Sequence, residues 1–151
     1  MNERCCRGTA AALFISLLLC AEVGAESVPI LITSLDPRFD RLMPKEAKLE
    51  KIADGFSWVE GPVWHRQGGY LLFSDIPSNA VYKWKPGEGV SIFLDNSGYS
   101  GAMPFAGKEP GSNGLALDGN GQLVLCRHGD RQIGRLETDG SITSLVDRYN
   151  G

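Results

Sequence analysis

Hydrophobic positions in this chain fall into short runs cut by glycine-bearing turns. From residue 59 the runs are Val59–His65, Tyr70–Ser74, Ala80–Trp84 and Val90–Leu94. A second series follows at Asn113–Asp118, Gln122–Arg127, Gln132–Glu137 and Ser141–Val146. Each run is rich in Val, Ile, Leu, Tyr or Trp, the residues that suit a pleated, half-buried surface. Between them lie Gly68-Gly69, Pro77-Ser78, Pro86–Gly89, Gly119-Asn120-Gly121, Gly129-Asp130 and Thr138–Gly140, which carry the residues that hairpin turns require. The pattern predicts two groups of four short antiparallel strands.

The two groups superimpose. Gly61 matches Gly114, 53 residues on, and Gly69 matches Gly121, 52 on. Tyr82 and Trp84 match Gly134 and Leu136 at the same 52-residue offset. Self-similarity at this period, with four strands per unit, is the mark of propeller blades. A blade needs about 40–50 residues, so Asn96–Ser112 is read as an insertion between blade 1 (59–94) and blade 2 (113–146). That insertion holds Gly101, Pro104, Gly107, Pro110 and Gly111. It is either a functional or mobile connection or a plain surface loop. A ring of four blades, the smallest propeller, takes roughly 160 residues. Two sheets can pack face to face but cannot close a ring. Residues 49–151 are therefore expected to be a partial propeller: a fragment, or one of several assembling copies, with the fragment preferred.

The first 25 residues read differently. Arg4 and Arg7 precede an uninterrupted apolar run, Ala10–Cys20, and Val23-Gly24-Ala25 follows. The run is shorter than the roughly 20 residues a membrane-spanning helix needs. The pattern predicts a secretory signal peptide over 1–25, cleaved after Ala25, and an exported product, periplasmic or secreted, with no membrane segment left. Residues 26–48 form an extension in which Asp36-Pro37 can open a helical turn that Pro44 ends. Lys45–Ala53 holds strong helix formers before Asp54-Gly55, so propensity alone favours a helix there.

Composition narrows the function classes. The net charge is -3, from 15 Lys+Arg against 18 Asp+Glu, and nucleic-acid binding demands a basic face. Hydrophobic residues at 42% and charged residues at 22% are globular values. Glycine is abundant at 19 residues, which favours turns and short strands over long helices. Cys5, Cys6 and Cys20 leave with the signal, so Cys126 alone remains and no intrachain disulfide can form. Lying in the apolar run Leu123–Cys126, it is expected to be an inert core residue. Trp58, Trp64 and Trp84 are expected to fill the space between sheets.

No phosphate loop, Rossmann glycine fingerprint, His-Glu-x-x-His, paired CxxC or Gly-x-Ser-x-Gly occurs. The candidate chemistry lies at strand starts and ends. Glu60, in Glu60-Gly61-Pro62-Val63-Trp64, opens an innermost strand and would face a central channel. There it could join other oxygen ligands on a hard cation, or be a solvated loop residue. Asn113 holds the equivalent position 53 residues on. It offers a carbonyl oxygen to a metal, an amide donor to a substrate, or simple turn chemistry. Asp75 and His128 form a second pair at this offset, each ending its unit's second strand. Asp75 is expected to cap the Pro77-Ser78 turn. His128 is a pocket acid or base, or a polar strand end. His65 reads as a hairpin residue.

Glu60-Gly61-Pro62-Val63-Trp64, Leu72-Phe73-Ser74-Asp75-Ile76-Pro77 and Val81-Tyr82-Lys83-Trp84 closely resemble the opening blade of the gluconolactonase/regucalcin family. Gly111-Ser112-Asn113-Gly114-Leu115 and Leu125-Cys126-Arg127-His128-Gly129 resemble its second blade. The resemblance implies the first two four-stranded antiparallel blades of an all-β, six-bladed propeller. It implies a divalent cation in the channel, calcium or zinc, and metal-dependent hydrolysis of a small-molecule sugar-acid lactone. By resemblance Glu60 is a metal ligand, and Asn113 and His128 line the substrate side. The family's segment before the first blade adds a strand to the last blade, so Leu49–Ala53 is expected to be extended. The family's catalytic aspartate and further asparagine would lie beyond Gly151, so no catalytic residue is expected in this chain and the chain alone is expected to be inactive. The alternative is a non-catalytic propeller module binding a sugar or a protein.

Overall fold

The computed structural model describes residues 26–28, 30–44 and 46–150. The expected signal peptide, with Cys5, Cys6 and Cys20, lies outside the described residues. Ten strands follow one another among the described residues. β1 (Glu26–Val28) and β2 (Leu49–Lys51) pair antiparallel in a small ribbon. β3 (Val59–His65), β4 (Tyr70–Asp75), β5 (Ala80–Lys85) and β6 (Gly89–Asp95) form one four-stranded meander in chain order. β7 (Ser112–Leu117), β8 (Leu123–Arg127), β9 (Gln132–Leu136) and β10 (Ile142–Val146) form another. Every neighbouring pair is antiparallel.

Alternation decides which side chains meet. Successive residues of a strand point to opposite faces. Leu72 on β4 and Val81 on β5 pack against Leu123 and Leu125 on β8, and these four buried residues form the core. Val63, Tyr70, Leu94, Leu115, Leu117 and Leu136 surround them. The first sheet meets the second mainly through β3 and β4 against β7. Leu125 is 0% exposed. Leu125→Ala is expected to cost about 2–5 kcal/mol, the range for deleting a fully buried leucine. A urea midpoint unchanged from wild type would show that the two sheets do not share this core.

The same alternation corrects two expectations. Cys126 is not a core residue: Leu123, Leu125 and Arg127 point inward, and Cys126 is exposed on the far side of its sheet. The tryptophans do not fill the space between the sheets. Trp64 lies opposite Leu71, itself opposite Trp84, so this row sits on the face turned away from the second sheet. Trp64 is 48% exposed and Trp58 52%.

In the extension, Asp36 Oδ1 accepts from the Arg38 backbone N–H at 2.8 Å, and Asp36 O accepts from the Phe39 N–H at 2.9 Å. They open a single 3₁₀ turn at Phe39–Arg41, the one helical element among the described residues. Leu49–Lys51 is extended despite its helix-forming composition, because pairing with β1 outweighs propensity. Its partner in this chain is β1 rather than a blade. Among the described residues no helix is long and apolar enough to cross a membrane.

Candidate functional site at the first strands of the two sheets

β3 and β7, the first strands of their sheets, both carry a bulge near their beginning. The β3–β4 register shifts between Glu60 and Val63, and the β7–β8 register shifts between Ser112 and Leu115. A bulge bends its strand and re-aims the side chains beside it. Here the two bulges stand at equivalent places in the repeat, and they bring Glu60 and Asn113 together. Asn113 Nδ2 donates to Glu60 Oε2 at 3.3 Å.

The backbone beneath this pair is held closely. Gly61 has φ +58°, and a Cβ built there would stand 2.4 Å from Asn113 O and 2.8 Å from Leu115 N. Only glycine permits that approach of strand to strand. Ser74 Oγ donates to Asn113 O at 3.0 Å, and Ser74 and Ser112 hydroxyls share a hydrogen bond of 2.8 Å. Ser112 N donates to Ser97 Oγ at 3.1 Å. All three serines are fully buried. Sequence reasoning did not find them, because a serine in an apolar run carries no signal of what it will face.

Asp75 is buried, and its carboxylate accepts from Trp58 N at 2.8 Å, Ser57 N at 3.4 Å and Ser78 Oγ at 2.8 Å. It ties the entry to β3 to the end of β4, and it reaches the Pro77-Ser78 turn through the serine hydroxyl. Its role is structural. His65 stacks on Tyr70 at 4.5 Å, and its Nδ1 accepts from Gly68 N at 2.9 Å, as befits a hairpin residue.

His128 follows β8 and lines an open concavity of about 530 Å³ together with Asn113, Cys126, Arg131, Ile133 and Val146. Its Nδ1 stands 3.8 Å from Glu109 Oε2, so the 96–111 connection reaches the site. Glu60 lines a different concavity, about 240 Å³, with Phe56, Val59, Pro62, Leu71 and Phe73. The structure thus joins Glu60 to Asn113 and places Asn113 beside His128, while Glu60 and His128 line different concavities.

The start of the connection is locked from two sides. Asn79 Oδ1 accepts from Gly98 N at 2.9 Å and Tyr99 N at 3.1 Å, and Asn79 Nδ2 donates to Tyr99 O at 2.8 Å. Asp130 accepts from Ser100 N at 3.1 Å and Ser100 Oγ at 2.7 Å. Its Oδ2 also stands 2.8 Å from Arg127 Nη2 in an ion pair whose side chains are only 6% and 14% exposed.

A carboxylate and an amide are oxygen donors of the kind a hard cation takes, though such a cation wants about six to eight. Among the described residues no group of three or more His, Cys, Asp and Glu side chains is arranged to hold a metal ion. The pair fits a cation as part of a donor set, not as a whole one.

Two successive four-stranded meanders, stacked with their first strands in contact, define two blades of an incomplete β-propeller. The chain belongs to the SMP-30/gluconolactonase/LRE-like family, whose model matches residues 58–147. It is 42% identical over 122 residues to a gluconolactonase of Zymomonas mobilis, a match covering 80% of this chain and 34% of that protein. The solved structure of a gluconolactonase from Xanthomonas campestris superimposes with a TM-score of 0.59 at 33% identity, covering 71% of this chain and 32% of that one. The structure of a provisionally assigned gluconolactonase gives 0.61 at 30% identity, covering 78% and 37%. The chain thus spans about a third of the length of these relatives.

Proposed function

We propose that residues 58–147 supply one side of the site of an exported lactone hydrolase acting on a sugar-acid lactone. The observation that carries this reading is the Glu60–Asn113 contact, made by equivalent bulges on the first strands of adjacent blades. Glu60 supplies a carboxylate and Asn113 an amide oxygen toward a divalent cation. Calcium suits such donors, and zinc is the alternative. The cation, when bound, polarises the lactone carbonyl and stabilises the charge that develops on its oxygen.

The chain's own residues hold and orient. The Ser74–Asn113 hydrogen bond fixes the Asn113 backbone, and with its Nδ2 donated to Glu60 the amide keeps Oδ1 as an acceptor. His128, at the rim of the concavity that Asn113 also lines, can donate to or accept from a polyhydroxylated substrate. Arg131 lines the same surface and can hold a carboxylate product. None of these groups is placed as the base that activates water, so the isolated chain is expected to be inactive.

The test is a chimera in which residues 58–147 replace the matching third of the Zymomonas relative. It should hydrolyse glucono-1,5-lactone, and Glu60→Gln within it should lower kcat/KM by about 100-fold or more, on the order of what one charge-stabilising group contributes. A Glu60→Gln chimera as active as its parent would remove Glu60 from the site. A folded but inactive parent chimera would favour a non-catalytic binding module.

A further inference from the structure

The turn after β8 and the end of the 96–111 connection pack backbone against backbone. A Cβ at Gly129 would stand 2.6 Å from Pro110 O and 2.5 Å from Tyr99 Cβ, so only glycine fits where the two segments meet. The connection is held from its other side as well. Gly111 N donates to Ile76 O at 3.0 Å, and a Cβ at Gly111 would stand 2.5 Å from that same oxygen. His128 precedes Gly129, and Glu109 precedes Pro110. The two side chains thus flank a fixed main-chain contact, and Glu109 Oε2 lies 3.8 Å from His128 Nδ1. Their spacing is set by backbone packing rather than by a loose loop.

The chemistry of the pair is asymmetric. An ionised carboxylate only accepts hydrogen bonds, so the imidazole nitrogen that faces it carries a proton. Nδ1 faces Glu109, and in the neutral ring the lone pair is then left on Nε2. No other group on this concavity competes for that role. Asp147 is engaged by Arg148 at 3.1 Å, and Arg127 by Asp130 at 2.8 Å. Arg131 also lines the concavity, and an arginine, a donor only, cannot hold a proton on an imidazole nitrogen. The Glu109 and His128 side chains are 41% and 25% exposed, so a small polar ligand can reach both. A separation of 3.8 Å is long for a direct hydrogen bond, and contacts of this kind tighten when substrate binds.

We propose that Glu109 is a positioning residue: it holds His128 in the Nδ1–H form, so that Nε2 accepts a hydroxyl of the polyhydroxylated substrate. Glu109 itself touches no reacting atom and acts through the imidazole. The tautomer arm stands on the geometry alone. The substrate arm rests on the reading of His128 under Proposed function, which left donation and acceptance both open.

Long-range proton–nitrogen NMR of the purified chain at about pH 9, where an ordinary imidazole is neutral, reads the tautomers of its two histidines. His65 is the internal reference, because its Nδ1 accepts from Gly68 N at 2.9 Å and its proton therefore sits on Nε2. His128, assigned by the loss of its signals in His128→Asn, should show the opposite form. Glu109→Gln should release His128 into a mixture of both forms without moving the His65 signals or the urea midpoint. In the chimera with the Zymomonas relative, Glu109→Gln should raise KM for glucono-1,5-lactone about 10-fold, the scale of one hydrogen bond, with kcat held within about twofold. In a His128→Ala background it should add nothing. A wild-type His128 protonated on Nε2, or one indifferent to Glu109→Gln, would overturn the positioning role. An unchanged KM, or a loss that persists without the imidazole, would overturn the substrate arm. An inactive parent chimera beside an Nδ1–H His128 fails the hydrolase reading alone, and an active one beside an indifferent His128 fails this proposal alone.

Discussion

Gly61→Ala is expected to destabilise the chain by about 2–5 kcal/mol, from two sources that add. A non-glycine residue in the left-handed region costs roughly 1–2 kcal/mol, and Gly61 sits at φ +58°. The new methyl would also stand 2.4 Å from Asn113 O and 2.8 Å from Leu115 N. Both are backbone atoms of β7, so they cannot swing aside as the tip of a side chain would. Relief requires β3 and β7 to separate, and forced overpacking of this kind costs typically 1–3 kcal/mol or more. Two controls isolate these sources. Gly69 also has positive φ (+64°), but a Cβ there meets nothing within 4 Å, so Gly69→Ala should cost only the backbone share. Gly114, the repeat counterpart of Gly61, would put its Cβ 3.6 Å from Cys126 Sγ, an ordinary contact, so Gly114→Ala should change the urea midpoint little. A Gly61→Ala midpoint equal to that of Gly69→Ala would mean that the two inner strands do not approach as described. The site should suffer with the fold, since separating these strands parts Glu60 from Asn113.

The strands were legible because their signal is local. Period-two alternation and hairpin residues placed each of the eight blade strands to within a residue of where it lies, from Val59–His65 to Ile142–Val146. The equivalence of Glu60 and Asn113 was legible because a repeat maps equivalent sequence positions onto adjacent equivalent places, whereas their hydrogen bond was not. Facing was harder to read. Leu123–Cys126 looks uniformly apolar, and only the neighbouring sheet decides that Leu125 is enclosed while Cys126 is exposed. The tryptophans were misplaced for the same reason: an aromatic on a strand is equally at home on either face, and Trp64 lies on the outer one. Pairing of β2 with β1 joins segments more than twenty positions apart, and it overrode a helical propensity that was correctly read. The lock on the 96–111 connection left no trace either, because Asp130 resembles any turn aspartate until Ser100 and Arg127 are beside it.

That lock carries the second large effect. Asp130→Ala is expected to cost about 3–5 kcal/mol, because removing one partner of a buried ion pair strands the other charge. Arg127 is 6% exposed, and without Asp130 its remaining acceptors are Ser97 O at 3.1 Å and Asn96 O at 3.4 Å, neither of which neutralises it. The variant also loses both hydrogen bonds from Ser100, so residues 96–111 should become the preferred site of limited proteolysis. Lys85→Ala, which removes the exposed Lys85–Glu88 pair, should change stability by no more than about 0.5 kcal/mol. The decisive comparison is a double variant. Arg127→Leu with Asp130→Ala removes both charges, so it should be more stable than Asp130→Ala alone, because an uncompensated buried charge costs more than an absent pair. If the double variant instead loses the sum of the two single losses, the damage comes from lost packing and the ion pair does not hold the connection. His128 follows Arg127 directly and Glu109 lies within the connection, so loosening this junction should also part the imidazole from its carboxylate, now 3.8 Å away.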